Sequence, residues 1–314
     1  MLRVILLAVV GLVVAFATVA AATEAYSRTQ PPRGRMIDIG GGRHLRLVCE
    51  GPKSERPVVW LESGAFSGAA DWAAIQQKLT AQGLRSCAYD RAGMGYSDVG
   101  PKPRDGDAIV GDLEKLIAAS GETGPFVLTG HSMAGLYVRQ YALRNPRQVV
   151  GVVLVDAVTP EMIELSGAQT FIDRMNSFAG MASITASLGL TKPLYWWGDR
   201  IGLPPQGKAE KRRGFISARQ SRSAYAEVQS WKAAAAQTEA AGTYDPSWPV
   251  AVITAGPPSR QMNLWNTVRH APAKAAREHM IDNIDEATHT TMLGLKYGDR
   301  IVAGIDFVLR AAKR

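Results

Sequence analysis

The stretch Phe126-Val127-Leu128-Thr129-Gly130-His131-Ser132-Met133-Ala134-Gly135-Leu136-Tyr137-Val138 decides how this chain is read. Its first half is an apolar run suited to a buried strand, and Leu136, Tyr137 and Val138 resume a pattern that buries one helical face. Glycines at 130 and 135 let strand and helix approach closely, so the hydroxyl of Ser132 would stand at the carboxyl end of the strand. On that reading Ser132 is a nucleophile. A plain tight bend, in which serine and glycine are both common, is the competing reading. The run departs from G-x-S-x-G at its fifth position, where Ala134 stands and the glycine comes one place later.

Outward from this turn, strands and helices alternate. A hairpin is predicted from Met36–Ile39 through Gly40-Gly41-Gly42 into His44–Cys49. Strands follow at Val58–Leu61, Ser86–Tyr89, Phe126–Thr129, Val149–Val155 and Val250–Thr254, with a last one around His279–Ile284. Helical spacing covers Asp71–Gln82, Asp107–Ser120 and a closing helix at Asp299–Ala312. Apolar strands separated by helices imply a mostly parallel sheet covered on both faces. The interval from Pro160 to Trp248 interrupts the alternation with helical runs at Met162–Met175 and Gly214–Ala241, and reads as an inserted cap. Its most aromatic point, Tyr195-Trp196-Trp197, suits packing of cap on core or one wall of a pocket.

The amino terminus is different in kind. Val4 to Ala22 carries no charge and is close to the roughly 20 residues that span a bilayer as a helix. The small residues Thr18-Val19-Ala20-Ala21-Ala22 equally suit cleavage of a signal peptide, and a buried helix is a third reading. Residues 1–27 are thus an anchor or signal, 28–35 a polar linker, 36–159 and 249–314 the two parts of a core, and 160–248 the cap. The core would lie outside the cytoplasm, associated with a membrane or exported, although one arginine fixes no orientation. The net charge of +8 does not indicate nucleic acid, because the cations are dispersed and no zinc or RNA-binding motif is present. Lys208, Lys211, Arg212, Arg213, Arg219 and Arg222 read as a solvated helix face, with an anionic membrane surface or substrate as the alternative.

Four ordered runs together resemble the α/β-hydrolase superfamily, in particular bacterial serine hydrolases that carry a membrane segment: Leu61-Glu62-Ser63-Gly64-Ala65, Asp90-Arg91-Ala92-Gly93-Met94-Gly95-Tyr96-Ser97, Gly130–Gly135 and Leu154-Val155-Asp156-Ala157. The resemblance implies an α/β-hydrolase fold with an eight-stranded sheet and catalytic loops at its carboxyl edge. Ser132 would attack a carbonyl and needs an imidazole to take its proton. His289, after the last strand, suits that role best of the five histidines; His270 and His279 are the alternatives. His131 occupies the variable position of the motif, where its side chain is expected to point away. Asp156 ends the sixth strand and matches an acid location of the family, while Asp282, Asp285 or the absence of an acid stay open. The oxyanion would be held by the backbone N–H groups of Met133 and Ala65. Asp90 or Arg91 is expected to pin the loop beside the site.

No H-E-x-x-H and no Cys/His ligand cluster is present, so no cofactor or metal is expected. Cys49 and Cys87, the only cysteines, fall on strands that the resemblance makes neighbours, leaving a disulfide and two buried thiols as equal readings. The expected partner is a small ester or lactone, cleaved through an acyl-serine. An amidase, a serine-dependent perhydrolase and a noncatalytic ligand-binding protein are the alternatives. Haloalkane chemistry fits poorly, since it needs a carboxylate where this chain has serine.

Overall fold

The central strands are apolar at most positions because both faces of the sheet are covered there, whereas the edge strands carry exposed polar residues. A computed structural model describes residues 1–313, with eight strands: β1 (Arg35–Asp38), β2 (His44–Glu50), β3 (Val58–Glu62), β4 (Ser86–Tyr89), β5 (Phe126–His131), β6 (Val149–Val155), β7 (Val250–Ala255) and β8 (His279–Ile284). They lie in the order β1-β2-β4-β3-β5-β6-β7-β8. β1 and β2 pair antiparallel, β2 pairs antiparallel with β4, and all remaining pairs are parallel.

Alternate residues divide between two cores, as the two-residue period of a strand requires. Trp60, Phe126, Leu128, Val152, Leu154 and Val252 face one layer. Leu61, Val127, Val153, Val155 and Ile253 face the other. Helix α1 (Leu2–Thr29) precedes the sheet. Helix α2 (Ala73–Ala81) packs beside the closing helix on the second layer, while α3 (Gly106–Ser120) and α4 (Ala134–Arg144) cover the first. The ends of α3 follow from its sequence: the Asp105 carboxylate accepts from the Ala108 N–H at 3.0 Å, and Gly121 takes φ 73° just past the last turn.

Between β6 and β7 lie α5 (Ala168–Ser187), α6 (Pro205–Phe215), α7 (Ala218–Gln229) and α8 (Trp231–Ala241). The single run expected at Gly214–Ala241 is therefore broken at Ile216-Ser217 and again at Ser230, and α5 continues well past Met175. Helices α9 (Arg260–Arg269) and α10 (Ala271–Ala275), which the sequence reading left out, connect β7 to β8. The closing helix α11 (Gly298–Ala311) buries Ile301, Val302, Ile305, Val308 and Leu309 along one stripe.

Three further features of the structure bear on what the sequence suggests. α1 runs through Arg28 to Thr29, and Arg33 in the proposed linker is tied down by Glu50 at 2.8 Å and Glu210 at 3.1 Å. The basic cluster is not a free solvated face. Lys211 pairs with Asp71 at 2.7 Å, Arg212 lies over the Tyr195 and Trp196 rings, and Arg213 reaches the Ser27 carbonyl at 3.1 Å. Arg219 donates to the Gly95 carbonyl, and Arg222 to Ser187 Oγ at 3.0 Å. These cations stitch the helical insertion together and to the core. Finally, Cys49 and Cys87 are directly opposed on β2 and β4 and are disulfide-bonded.

Candidate active site

β5 ends at His131 and α4 begins at Ala134, so the chain reverses within two residues. Ser132 takes φ 58°, a left-handed conformation that costs a non-glycine residue about 1–3 kcal/mol. The end of β6 holds it there. Ser132 donates its N–H to the Val155 carbonyl at 3.1 Å, and its own carbonyl accepts from Gly135 at 3.0 Å and Val158 at 2.8 Å. A Cβ on Gly135 would sit 2.3 Å from the Val158 carbonyl oxygen, and one on Gly130 would sit 2.9 Å from the Ala134 carbonyl oxygen. The helix-side glycine that this turn needs is thus Gly135, and the buried Ala134 methyl is accommodated. The displaced glycine of the motif has its physical reason here.

Asp156 follows β6, also with positive φ, and its N–H bonds the Ile253 carbonyl at 2.7 Å. Its Oδ2 lies 2.5 Å from His289 Nδ1 and its Oδ1 2.8 Å from the Arg269 guanidinium. Burial alone would raise the Asp156 pKa, but the His289 hydrogen bond and the Arg269 charge outweigh it and hold the carboxyl below its ordinary value. An ionised carboxylate only accepts, so His289 carries its proton on Nδ1 and leaves the lone pair on Nε2. The structure thus brings Asp156 and His289 together. Asp282 is engaged by Arg300, Asp285 accepts from Asn283, and His279 Nδ1 lies 3.2 Å from the Ala276 carbonyl. Arg269, on α9, was not foreseen; an arginine in an unassigned segment carries no signal of its own.

His131 does not point away. Its Nε2 lies 2.9 Å from the His289 carbonyl oxygen, and the two rings are 4.5 Å apart. A carbonyl only accepts, so Nε2 bears the hydrogen. Burial, then the neighbouring His289, pushes His131 down to about 3, so the ring is neutral near pH 7. Among the described residues Ser132 Oγ makes no hydrogen bond.

The loop after β3 passes over the serine. A Cβ on Gly64 would come within 2.7 Å of Ser132 Cβ, so only glycine fits this approach. Buried Arg91 holds the loop from behind by donating to the carbonyls of Ser63 and Gly64, the latter at 2.7 Å. The same guanidinium pairs with Glu62 at 2.8 Å and with Glu227 on α7 at 2.7 Å. Of the two residues expected to pin this loop, Arg91 grips its carbonyls, while Asp90 accepts from the Ala69 N–H at 2.9 Å and from Tyr96 at 2.9 Å. In a trans peptide the N–H lies opposite the preceding carbonyl, so the Ala65 N–H points away from Arg91. Met133, at the start of α4, adds an N–H at a positive helix end.

Ala65, His131 and Thr290, the latter two being chain neighbours of Ser132 and His289, are among the residues lining a cavity of about 910 Å³. Its walls are largely apolar, with Phe66, Phe178, Met181, Leu194 and Trp197. Asp71 and Lys211, paired at 2.7 Å, also line it. Arg139 on α4 is structural, bonding Glu161 and the Gly242 carbonyl. Cys49 and Cys87 lie near Glu122, but their sulfurs are joined and give no metal ligand.

The model of the alpha/beta hydrolase fold matches residues 57–255, and the chain belongs to this family. It is 34% identical over 130 residues to a "Probable transporter efuK" of Hormonema carpetanum, covering 40% of this chain and 18% of that protein. The chain spans less than half the length of the first curated relatives it matches, at 18, 43 and 40%. Among solved structures it resembles a thermophilic esterase from Thermogutta terrifontis, with TM-score 0.61, 20% identity and coverage of 88 and 98%. It also resembles a putative epoxide hydrolase of Pseudomonas aeruginosa, with TM-score 0.67, 16% identity and coverage of 91 and 99%. These likenesses establish the fold.

Proposed function

We propose that this chain is a serine hydrolase that cleaves a carboxylic ester or lactone through an acyl-serine intermediate. The observation that carries the reading is the Asp156–His289 contact of 2.5 Å, which fixes the tautomer whose Nε2 can accept a proton, next to a serine held at φ 58°. Ser132 Oγ attacks the carbonyl carbon while its proton passes to His289 Nε2. The N–H groups of Met133 and Ala65 hold the oxyanion, and the imidazolium returns the proton to the departing alkoxide. Water, deprotonated by His289, then releases the acid and restores the serine. The serine and the ring must close to hydrogen-bond distance for this transfer, an approach that substrate commonly completes.

On this reading the insertion at 160–248 is a cap roofing the cavity, residues 36–159 and 249–314 are the core, and the apolar cavity walls favour an uncharged acyl group. Among the described residues, one helix is long and apolar enough to cross a membrane, α1, with mean hydropathy 2.9 in its most apolar window. The same composition suits a signal sequence. A core outside the cytoplasm is compatible with either role, and the Cys49–Cys87 disulfide fits an oxidising compartment.

The test is fluorophosphonate labelling of the purified protein with peptide mapping, alongside turnover of a panel of esters from short to long acyl chain. Modification at Ser132, lost in Ser132→Ala and strongly reduced in His289→Asn, is the expected result. An unlabelled, inactive wild type would shift the reading to a noncatalytic binding protein. Labelled Ser132 with turnover unchanged in Ser132→Ala would place catalysis elsewhere.

A further inference from the structure

The cavity opens at a rim unusually apolar for a surface facing water. Phe178, Met181, Leu194 and Trp197 line it and are nevertheless 60, 62, 44 and 59% exposed, so they stand at its mouth. Outside the mouth the same α5 stripe continues through Ile184 and Leu188, 58 and 68% exposed, at the three- and four-residue spacing of one helix face. Leu190 and Trp196 extend it. Contiguous apolar surface beside a cavity marks a docking site.

Two observations identify what docks. First, the patch is continuous with the foot of α1. Tyr26 packs on Tyr195 and Trp196 with ring centroids 5.9 and 5.4 Å apart, Glu24 pairs with Lys192 at 3.7 Å, and the apolar window of α1 is otherwise unburied by protein. A bilayer that receives α1 therefore begins where this patch begins, and Tyr26, Trp196 and Trp197 stand at its edge as interfacial aromatics do. Second, the charge suits a lipid surface. From Arg174 to Gly198 there is no acidic residue, and the cations Arg174, Lys192 and, in the last turn of α1, Arg28 outnumber the carboxylate paired with them, that of Glu24, which Lys192 and Arg28 share. Apolar side chains flanked by cations describe a segment that lies in the interface of an anionic leaflet.

We infer that the stripe Phe178, Met181, Ile184 and Leu188, with Leu190 and Trp196, rests on the bilayer that holds α1, so that the cavity receives the acyl chain of a membrane-resident ester directly from lipid. This rests on α1 being retained as a membrane helix and deepens the hydrolase reading by naming its substrate class. A water-soluble ester would reach the same serine without using the patch.

The test uses the full-length chain, its α1 verified by intact mass, in vesicles of phosphatidylcholine with and without phosphatidylglycerol. Because both native cysteines are bonded to each other, Leu188→Cys offers a single site for a spin label. Arg147→Cys, exposed at the opposite end of the sheet, is its control. The Leu188 label should be relaxed more by oxygen than by a water-soluble nickel complex, and the Arg147 label the reverse. In a second arm, Ile184→Glu with Leu188→Glu should leave turnover of a short soluble ester within about twofold, since neither residue lines the cavity. Turnover of a long-chain ester carried in the same vesicles should fall about tenfold or more. Equal nickel relaxation at both label sites, or equal loss on both substrates, overturns the inference. A wild type inactive on both esters refutes the hydrolase reading instead, and the label still decides the docking.

Discussion

His131 supplies a pH test of the site's internal packing. The unfolded chain holds this imidazole near 6.5 and the fold pushes it to about 3, chiefly by burial. Below pH 6.5 the unfolded state therefore binds a proton that the native state refuses. Stability from this group is intact above the unfolded value and is lost as pH falls towards the folded one. Between pH 7 and pH 4 the two values imply a loss of about 3 kcal/mol from this residue alone. His131→Gln removes the titration while retaining a side chain that can donate to the His289 carbonyl. Guanidinium unfolding of both proteins in detergent, followed by circular dichroism at pH 7 and pH 4, should show the variant losing about 3 kcal/mol less than wild type over that interval. Asp156, held low, begins to lose its stabilisation as pH falls through the ordinary carboxylate value, at the acid edge of this window, and it does so in both proteins, so the difference between them still reports His131. Parallel pH dependence in the two proteins would refute a buried neutral His131, and with it the packing of that ring against His289.

Asp156→Asn should keep the fold but lose about 10⁴ in kcat, because the amide can donate to Nδ1 and stabilises the wrong tautomer; a loss below about tenfold in stopped-flow ester hydrolysis would remove Asp156 from the mechanism. Arg91 grips the Ser63 and Gly64 carbonyls while pairing with Glu227, so Glu227→Gln should lower kcat more than it raises KM. A change confined to KM would instead assign Glu227 to substrate binding through the cap. Replacing Cys49 and Cys87 by serine opens a sequence separation of 38 residues and should cost about 4 kcal/mol on the chain-entropy account, read as a shift in the denaturation midpoint. An unchanged midpoint would mean that the bond contributes nothing net.

Much of this molecule is legible in its sequence because strands covered on both faces must be apolar throughout. Val149–Val155 and Val250–Ala255 announce themselves by composition. Ser132 is equally legible, since a sharp strand-to-helix turn demands small residues at fixed places and Gly130 and Gly135 supply them. Tertiary structure decided what depends on partners distant in sequence. That Asp156 rather than Asp282 faces His289, that Arg269 holds the other carboxylate oxygen, and that Arg91 joins the loop after β3 to α7 are contacts across 133, 113 and 136 residues. The basic run from Lys208 to Arg222 looked free because a linear sequence does not show the aromatic rings and carbonyls that cross it. Local periodicity reports which side of an element is buried, and the identity of what buries it exists only once the chain has folded.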